Sequence, residues 1–328
     1  MDLIIALIAI TGSIVAIVAI EIVLDYAWFL VQRAWHHKQE GRHDKALADF
    51  NRAVKLKPKY KWAVAGRGQL HRLNERHSEG LLDFNRALEL DPNCFWSLAN
   101  RGETYRRMER YKEALADFNR AIELNPNYKW AIANRGQLHR LMERYEEALA
   151  DFNRALELEP NCPWCFANRG ETYKQMTLYN AALADFNRAI ALAPNDQWAI
   201  ANRGETYLLM QRYEEALADL NRALALDSQS VRALGNRGET YLLMQRYDEA
   251  LADLNRALAL DSQSVRAFGN RGELYRLMQR YEKALADFNR AIELLPNNDW
   301  LLHRRALVYQ ALNQTSRYSI GKQTDDRS

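Results

Sequence analysis

The chain has 328 residues, of which 48% are hydrophobic and 27% charged, which is enough for a packed core and excludes a wholly disordered chain. Its 45 lysines and arginines nearly balance its 42 aspartates and glutamates, and no basic block stands out, so nucleic acid is not an expected partner. Three cysteines exclude a disulfide framework, and their odd number favours a reducing compartment.

The first predicted element is an apolar helix. Residues 3–20 contain no charged side chain, and only Thr11 and Ser13 among them are polar. A helix of this length and hydropathy can cross a bilayer, so we expect a transmembrane helix within residues 3–24 and a membrane anchor over residues 1–26. A cleaved signal peptide is the alternative, but no basic residue precedes the apolar stretch and no convincing cleavage site follows it.

The residues that flank the apolar stretch predict its orientation. The nearest basic residues, Arg33, Lys38, Arg42 and Lys45, all follow the predicted helix. Basic flanks are retained on the cytoplasmic side of a membrane. We therefore expect a single-pass protein with its N-terminus outside and the rest of the chain in the cytoplasm, as in a bacterial inner membrane.

From residue 27 onward the sequence repeats with a period of 34 residues. Rows that start at residues 27, 61, 95, 129, 163, 197, 231 and 265 align without a gap, and a half row starts at residue 299. The place of a residue in its row is its row position, so that Trp130 has row position 2. A period of this length is typical of solenoids, in which each row is one supersecondary unit stacked on its neighbours.

Each row is predicted to form two helices. Apolar and small residues recur at helical spacing in both halves of a row, and the second half carries Glu and Arg on its outer face. Proline near the end of a row, such as Pro126, cannot continue a helix, whereas the sequence DSQS in rows 197 and 231 can cap the helix that follows. Glycine at row position 8 costs a helix about 1 kcal/mol, so its presence in seven rows predicts close packing against the alanine at position 20.

The repeated residues resemble a known family. In one row they are Gly102, Tyr105, Ala114, Phe118, Ala121 and Pro126. This pattern resembles the tetratricopeptide repeat, and the resemblance covers about residues 27–314. It implies an all-α fold, a right-handed superhelical solenoid of antiparallel helix pairs, with eight repeats over residues 27–298 and a capping helix over residues 299–314. The first repeat is degenerate, since it has Ala34 and His37 where Gly and Tyr are expected, and residues 315–328 are predicted to form a flexible polar tail.

Cys162 and Cys165 have the Cys-x-x-Cys spacing of thiol oxidoreductases. Cys162 ends one row and Cys165 has row position 3 in the next, where most rows have alanine, so we interpret Cys165 as a small buried residue. A thiol at a helix N-terminus has a lowered pKa, which keeps a thiol oxidoreductase as a remote alternative. The fold of such enzymes contains strands, which the repeats do not predict.

The sequence predicts no enzyme, no cofactor and no metal site. The histidines fall mostly where other rows have tyrosine, and no second ligand at metal-binding spacing accompanies them. The carboxylates recur in every row, and Arg at position 7 with Asp at position 23 is expected to form a structural salt bridge or to have a capping role. No phosphate-binding loop or nucleophile elbow occurs.

The resemblance implies a partner-binding groove. In this family the first helix of each repeat lines a concave groove, and row positions 2, 5, 6, 9 and 12 commonly contact the ligand. Seven of the eight tryptophans have row position 2, and Trp and Arg are frequent energetic anchors of interfaces. The candidate partner-binding residues are Trp62, Trp96, Trp130, Trp164, Trp198, Arg232, Arg266, Asn100, Asn134, Asn168, Asn202, Asn236, Asn270, Arg106 and Arg140. The alternative is that these residues only hold neighbouring rows together, because a single row cannot bury its faces alone.

We therefore expect a membrane-anchored, non-enzymatic scaffold that binds other proteins or peptides in this groove. The alternative function is self-assembly, in which the repeats and the membrane helix form homo-oligomers.

Overall fold

The structure is a computed structural model that describes residues 25–325, with side chains described as far as residue 313. All regular structure in these residues is helical. The described residues divide into two compact units, and the boundary lies between Pro160 and Asn161.

The first unit contains helices α1 to α8. Helix α1 covers residues 25–39 of the described chain. The others are α2 (His43–Leu56), α3 (Lys61–Leu73), α4 (His77–Leu90), α5 (Phe95–Arg107), α6 (Tyr111–Leu124), α7 (Lys129–Leu141) and α8 (Tyr145–Leu158).

The second unit contains helices α9 to α17. They are α9 (Pro163–Gln175), α10 (Tyr179–Leu192), α11 (Gln197–Leu209), α12 (Tyr213–Leu226), α13 (Val231–Leu243), α14 (Tyr247–Leu260), α15 (Val265–Leu277), α16 (Tyr281–Leu294) and α17 (Asp299–Asp325). The prediction of two helices per row is therefore confirmed in both units.

The two helices of a row approach closely at the predicted small residues. A Cβ atom added to Gly136 of α7 would lie 3.1 Å from Cβ of Asp151 and 3.3 Å from the carbonyl oxygen of Ala148, both in α8. The ring of Phe152 lies beside this contact and is fully buried. The close packing predicted from glycine at row position 8 is therefore confirmed at Gly136, where a larger residue would meet the second helix.

An ion pair between a partly exposed arginine and a buried aspartate joins the two helices of each full row. The guanidinium at row position 7 donates two hydrogen bonds to the carboxylate at position 23, as between Arg135 and Asp151, at 2.9 and 2.6 Å. Its remaining nitrogen reaches the preceding row, since Nη1 of Arg135 donates to Oδ1 of Asn119 at 2.8 Å. The predicted structural salt bridge is confirmed. The equivalent pairs are Arg33–Asp49, Arg67–Asp83, Arg101–Asp117, Arg169–Asp185, Arg203–Asp219, Arg237–Asp253 and Arg271–Asp287.

The turn inside each row uses one residue in the left-handed region. In the first row this residue is Gly41, with φ +72°. In later rows the same position holds non-glycine residues with φ near 60°, which L-residues adopt only at a cost. They are Glu75, Glu109, Glu143, Thr177, Gln211, Gln245 and Gln279.

In several rows of the second unit the turn between rows ends in a side-chain helix cap. Oγ of Ser230 accepts a hydrogen bond from the amide of Ala233, and Oγ of Ser264 does the same for Ala267. In another row Oδ1 of Asp196 accepts from the amide of Ala199 at 3.1 Å. The capping role predicted for the sequence DSQS is therefore confirmed.

Two predictions concern the ends of the chain. The predicted transmembrane segment, residues 3–24, lies outside the described residues. Among the helices that the structure does describe, none combines the length and hydropathy needed to cross a membrane. At the other end, α17 (Asp299–Asp325) continues beyond residue 314, where the capping helix was expected to end, and the flexibility of residues 315–328 stays a prediction. No proline interrupts this segment, and nothing in its sequence forces the helix to stop at Gln314.

Candidate partner-binding groove

The first helices of successive rows form one continuous face in each unit. Helix α5 contacts both α3 and α7 in the first unit, and in the second unit α11 contacts α9 and α13 while α15 contacts α13 and α17. Within each unit, the described second helices make no such contacts with one another. The first helices therefore lie on the inner side of each unit, and their residues at row positions 2, 5, 6, 9 and 12 form what we call the first-helix face.

The tryptophans at row position 2 are partly available on this face. Trp62, Trp164 and Trp300 are exposed, whereas Trp130 and Trp198 are half-buried and pack against the core of their own unit. The same row position therefore supplies exposed rings in some rows and packing rings in others, and partner binding by these tryptophans stays a prediction.

The asparagines at row position 6 are buried. Nδ2 of Asn134 donates to the carbonyl oxygen of Trp130 at 2.7 Å, and Asn100, Asn168 and Asn202 make the same bond four residues back along their helices. Asn236, by contrast, is fully buried and neither Oδ1 nor Nδ2 has a hydrogen-bond partner among the described residues. The amide donors are therefore mostly used within the protein, and direct partner contact by these six residues stays a prediction.

Arg232 and Arg266 are engaged in ion pairs on the first-helix face. Nη2 of Arg232 lies 2.5 Å from Oε2 of Glu205, and Arg266 binds both Glu205 and Glu239. Lys174 approaches the same Glu205 carboxylate at 2.8 Å. Burial alone would raise the pKa of Glu205, but these three cations hold it well below its usual value.

A compensating pattern explains where these arginines occur. Rows 197 and 231 have Leu208 and Leu242 at position 12, where every other full row has lysine or arginine. The rows that follow them have Arg232 and Arg266 at position 2, where the other rows have tryptophan. In six full rows the basic side chain is at position 12. Where position 12 is leucine, the next row has arginine at position 2 instead. Sequence analysis could have found this exchange by comparing neighbouring rows.

The other two predicted arginines lie on the first unit's face. Arg106 donates two hydrogen bonds to Glu103, at 2.7 and 2.8 Å. Arg140 is half-buried at the equivalent position two helices further along the chain.

A cavity opens on the first-helix face of the second unit. It has a volume of about 460 Å³, and its wall combines the exposed ring of Trp300 with apolar atoms and the Arg266–Glu239 ion pair. Arg266 and Asn270 are predicted partner-binding residues, and Trp300 has row position 2 like the other predicted tryptophans; the rest of the wall was not predicted. The lining residues are Glu239, Val265, Arg266, Gly269, Asn270, Asn298, Trp300 and Leu301.

The histidines at row position 11 lie next to the buried aspartates. Nε2 of His71 is 3.8 Å from Asp83, and Nε2 of His139 is 3.9 Å from Asp151. Burial lowers the pKa of both histidines, and the neighbouring aspartate opposes this shift. Across the described residues, no group of three or more potential ligands is placed to hold a metal ion.

Cys162 and Cys165 are joined by a disulfide, with their Cα atoms 5.3 Å apart. Cys162 is the N-cap of α9, and its sulfur accepts a hydrogen bond from the amide of Cys165 at 3.1 Å. The pair therefore occupies the cap positions that Ser230 and Ala233 hold in another row. The odd number of cysteines favoured a reducing compartment and so free thiols, whereas the structure has a disulfide here. The first turn of α9 brings the two residues within disulfide range. The third cysteine, Cys94, is free and buried.

The sequence also matches known families. Profiles of the tetratricopeptide repeat match residues 31–93, 95–128, 130–162, 165–196, 196–263 and 265–298. The chain belongs to the tetratricopeptide repeat family. No curated protein sequence matches it significantly. Partner binding on the first-helix face, which the resemblance implies, stays a prediction.

Solved structures support the same fold. One similar structure is a chain of the APC/C hetero-tetramer Cut9-Hcn1. The similarity covers 85% of the present chain, with 16% sequence identity and a TM-score of 0.69. This chain covers 55% of that one, so it spans about half its length, and at this identity the similarity shows the fold alone.

Two smaller tetratricopeptide repeat proteins are also similar in part. YrrB, a protein with an unusual peptide-binding site, is 26% identical, with a TM-score of 0.44 over 58% of this chain and 97% of its own. TTC0263, a thermophilic protein of Thermus thermophilus, is 27% identical, with a TM-score of 0.49 over 56% of this chain and 99% of its own.

Proposed function

We propose that this protein is a non-enzymatic scaffold that binds partner proteins or peptides on the first-helix face of its repeats. The observation that carries the proposal is the cavity beside Trp300, where an exposed indole, apolar side chains and an ion pair meet. A cavity of this kind can take one side chain of a partner while polar groups at its edge fix the orientation.

We also propose that residues 3–24 anchor the scaffold in a membrane, with the repeats on the cytoplasmic side. The support is the uncharged apolar stretch and the basic residues that follow it. A double substitution, Ile8→Arg with Val15→Arg, places two charges where each costs about 3 kcal/mol near the centre of a membrane span.

The double variant should move the protein from the membrane fraction to the supernatant after alkaline extraction. A reporter fused after Ser328 should be active only on the cytoplasmic side. If the variant stays in the membrane fraction, the anchor is not residues 3–24.

The groove is tested by selecting binders from a random peptide library with the full chain held in an uncharged detergent. Trp300→Ala should reduce the affinity of those recovered peptides that bind the second unit by about tenfold or more. Aromatic anchors that become buried in an interface dominate its binding energy. Leu82→Ala is the matched control, because this leucine is 70% exposed but lies on α4, a second helix.

The experiment separates the scaffold from the alternative functions. If no peptide is recovered and crosslinking in membranes gives ladders of this chain alone, self-assembly replaces the proposal. If trapping with Cys165→Ser instead yields mixed disulfides with other proteins, the Cys162–Cys165 pair exchanges thiols and the non-enzymatic assignment fails.

A further inference from the structure

The first-helix face of the first unit carries more positive charge than its own carboxylates balance. In the second unit, row position 9 is glutamate in all four rows, and each of these carboxylates has a basic partner. In the first unit, row position 9 holds Trp35, Gln69, Glu103 and Gln137, so only one carboxylate faces the basic side chains. The second unit therefore neutralises this face internally and the first unit does not.

Arg72 is a buried cation with poor compensation. It is 6% exposed, its Nε has no hydrogen-bond partner, and its nearest carboxylate, Glu103, lies 4.0 Å from Nη1. Glu103 already accepts hydrogen bonds from Arg106 and Arg107. Burial lowers the pKa of Arg72, and the weak contact with Glu103 only partly opposes this. A buried guanidinium in this condition is stabilised by any carboxylate that reaches it.

Lys38 lies in the same region and has no carboxylate within ion-pair distance among the described residues. Its Nζ sits 5.1 Å from the ring centre of Trp35, a cation–π contact. Burial lowers the pKa of Lys38, and repulsion by Arg72 lowers it further, so the two cations act on each other directly. Gln69, three residues before Arg72 on the same helix, has a buried Oε1 without a hydrogen-bond partner among the described residues.

An apolar wall stands beside these cations. The ring of Trp35 lies 5.8 Å from that of Trp96, and Trp62 lies 6.1 Å from Trp96 on the other side, both in edge contacts. Trp62 is exposed. The face thus offers aromatic surface and uncompensated positive charge next to each other.

We propose that the first unit binds an acidic, apolar segment of a partner protein, with one carboxylate placed between Lys38 and Arg72 and a neighbouring apolar side chain on the tryptophan rings. This rests on the proposed groove function and specifies the partner for one of the two units. In an extended segment residues two apart point to the same side, so an acidic and an apolar residue at that spacing, as in Leu-Ser-Glu, reach the cations and the rings together. The balanced charge of the whole chain offers no wider basic surface for a nucleic-acid backbone.

The test uses the full chain in uncharged detergent and three fluorescent peptides of equal length, with repeating units Leu-Ser-Glu, Leu-Ser-Gln and Leu-Ser-Lys. Fluorescence anisotropy should show the glutamate peptide binding about tenfold more tightly than the other two, with an affinity that falls as salt rises. Lys38→Met and Arg72→Gln should each weaken it by about tenfold.

Arg276→Gln is the matched control. Arg276 has the same row position as Arg72, but its guanidinium makes two hydrogen bonds to Glu273, at 2.7 and 2.8 Å. This variant should leave the glutamate peptide unaffected. Gln69→Glu adds the carboxylate that other rows have at this position. It should reduce the affinity for the glutamate peptide and raise the melting temperature of the protein. That combination separates neutralisation of Arg72 from damage to the fold.

Equal binding of the glutamate and glutamine peptides would overturn the inference, and the groove function would still stand on the library selection and Trp300→Ala. Arg276→Gln acting as strongly as Arg72→Gln would overturn it too. Binding of oligothymidylate or phosphatidylserine vesicles with the same dependence on Lys38 and Arg72 would identify a general anion site or a lipid site instead. Failure of every peptide in both experiments would remove the groove function and this inference together.

Discussion

Arg266 and Glu205 form an ion pair across two rows, with 2.7 Å between Nη1 of the arginine and Oε1 of the glutamate. The same guanidinium also binds Glu239 at 2.8 Å, so one side chain of α15 ties together α11 and α13. The arginine at row position 2 therefore replaces the basic residue that Leu208 and Leu242 do not supply at position 12. Its first role is to neutralise the carboxylates of Glu205 and Glu239, and any contact with a partner must share or replace these bonds.

The stabilising effect of Glu205 should depend on pH. Burial opposes ionisation, but Lys174, Arg232 and Arg266 hold its pKa in the folded protein below the value of about 4.3 expected in the unfolded chain. A carboxylate with a depressed pKa stabilises the fold above pH 4.3, and this contribution is lost as the pH falls further. Glu205→Gln should therefore cost about 3 kcal/mol at pH 7 and progressively less between pH 4.3 and pH 3.

Urea unfolding at a series of pH values, followed by circular dichroism, measures this effect. Glu215→Gln is the control, because Glu215 lies on the surface and pairs only with Arg212. A cost for Glu205→Gln that stays the same from pH 7 to pH 3 would contradict the prediction.

The ion pair that joins the helices of each row should contribute strongly to stability. Nε and Nη2 of Arg237 donate to both carboxylate oxygens of Asp253, at 2.6 and 2.7 Å. Because Asp253 is buried, Arg237→Gln and Asp253→Asn should each cost about 3 kcal/mol, and the double variant should cost clearly less than their sum.

A double-mutant cycle on the midpoint of thermal unfolding tests this coupling. The exposed pair Arg246–Glu249 belongs to the same row and serves as the control, with a much smaller expected coupling. Additive effects at Arg237 and Asp253 would show that the two groups contribute independently.

The repeat period predicted the fold well because each row repeats the same local requirements. Gly136 is glycine because Asp151 and Ala148 approach it closely, and that need recurs every 34 residues in the sequence. The extent of α17 was not predictable in this way, since the half row has no following row to define where its helix ends.

The candidate site was only partly predictable from row positions. Trp62 and Trp130 share row position 2, yet one is exposed and the other half-buried, because exposure depends on the side chains of adjacent rows. Likewise, Arg232 has its acceptor, Glu205, 27 residues earlier in the chain. A family position identifies the face on which a residue lies, but its neighbours decide whether a partner can reach it.

Two glycines should respond oppositely to alanine. Gly136→Ala brings a methyl group to within 3.1 Å of Asp151 Cβ and 3.3 Å of a backbone oxygen, so we expect a loss of about 1–3 kcal/mol. Gly235 has no heavy atom within 4 Å of an added Cβ, and Gly235→Ala should instead stabilise α13 by up to about 1 kcal/mol. Melting temperatures of the two variants should move in opposite directions, and a shared direction would mean that packing at row position 8 is not the constraint.

The turn at row position 15 should be improved by glycine. Gln245 has φ +60°, where an L-residue is strained, and the first row has Gly41 at the same place with φ +72°. Gln245→Gly should therefore raise the free energy of unfolding by up to about 1 kcal/mol, and Gly41→Gln should lower it by a similar amount. Chemical denaturation of both variants checks the pair, with Gln263→Gly as a control at an exposed turn residue outside this position. If Gln245→Gly lowers stability, the turn is held by contacts of the glutamine side chain, and relief of backbone strain does not control its stability.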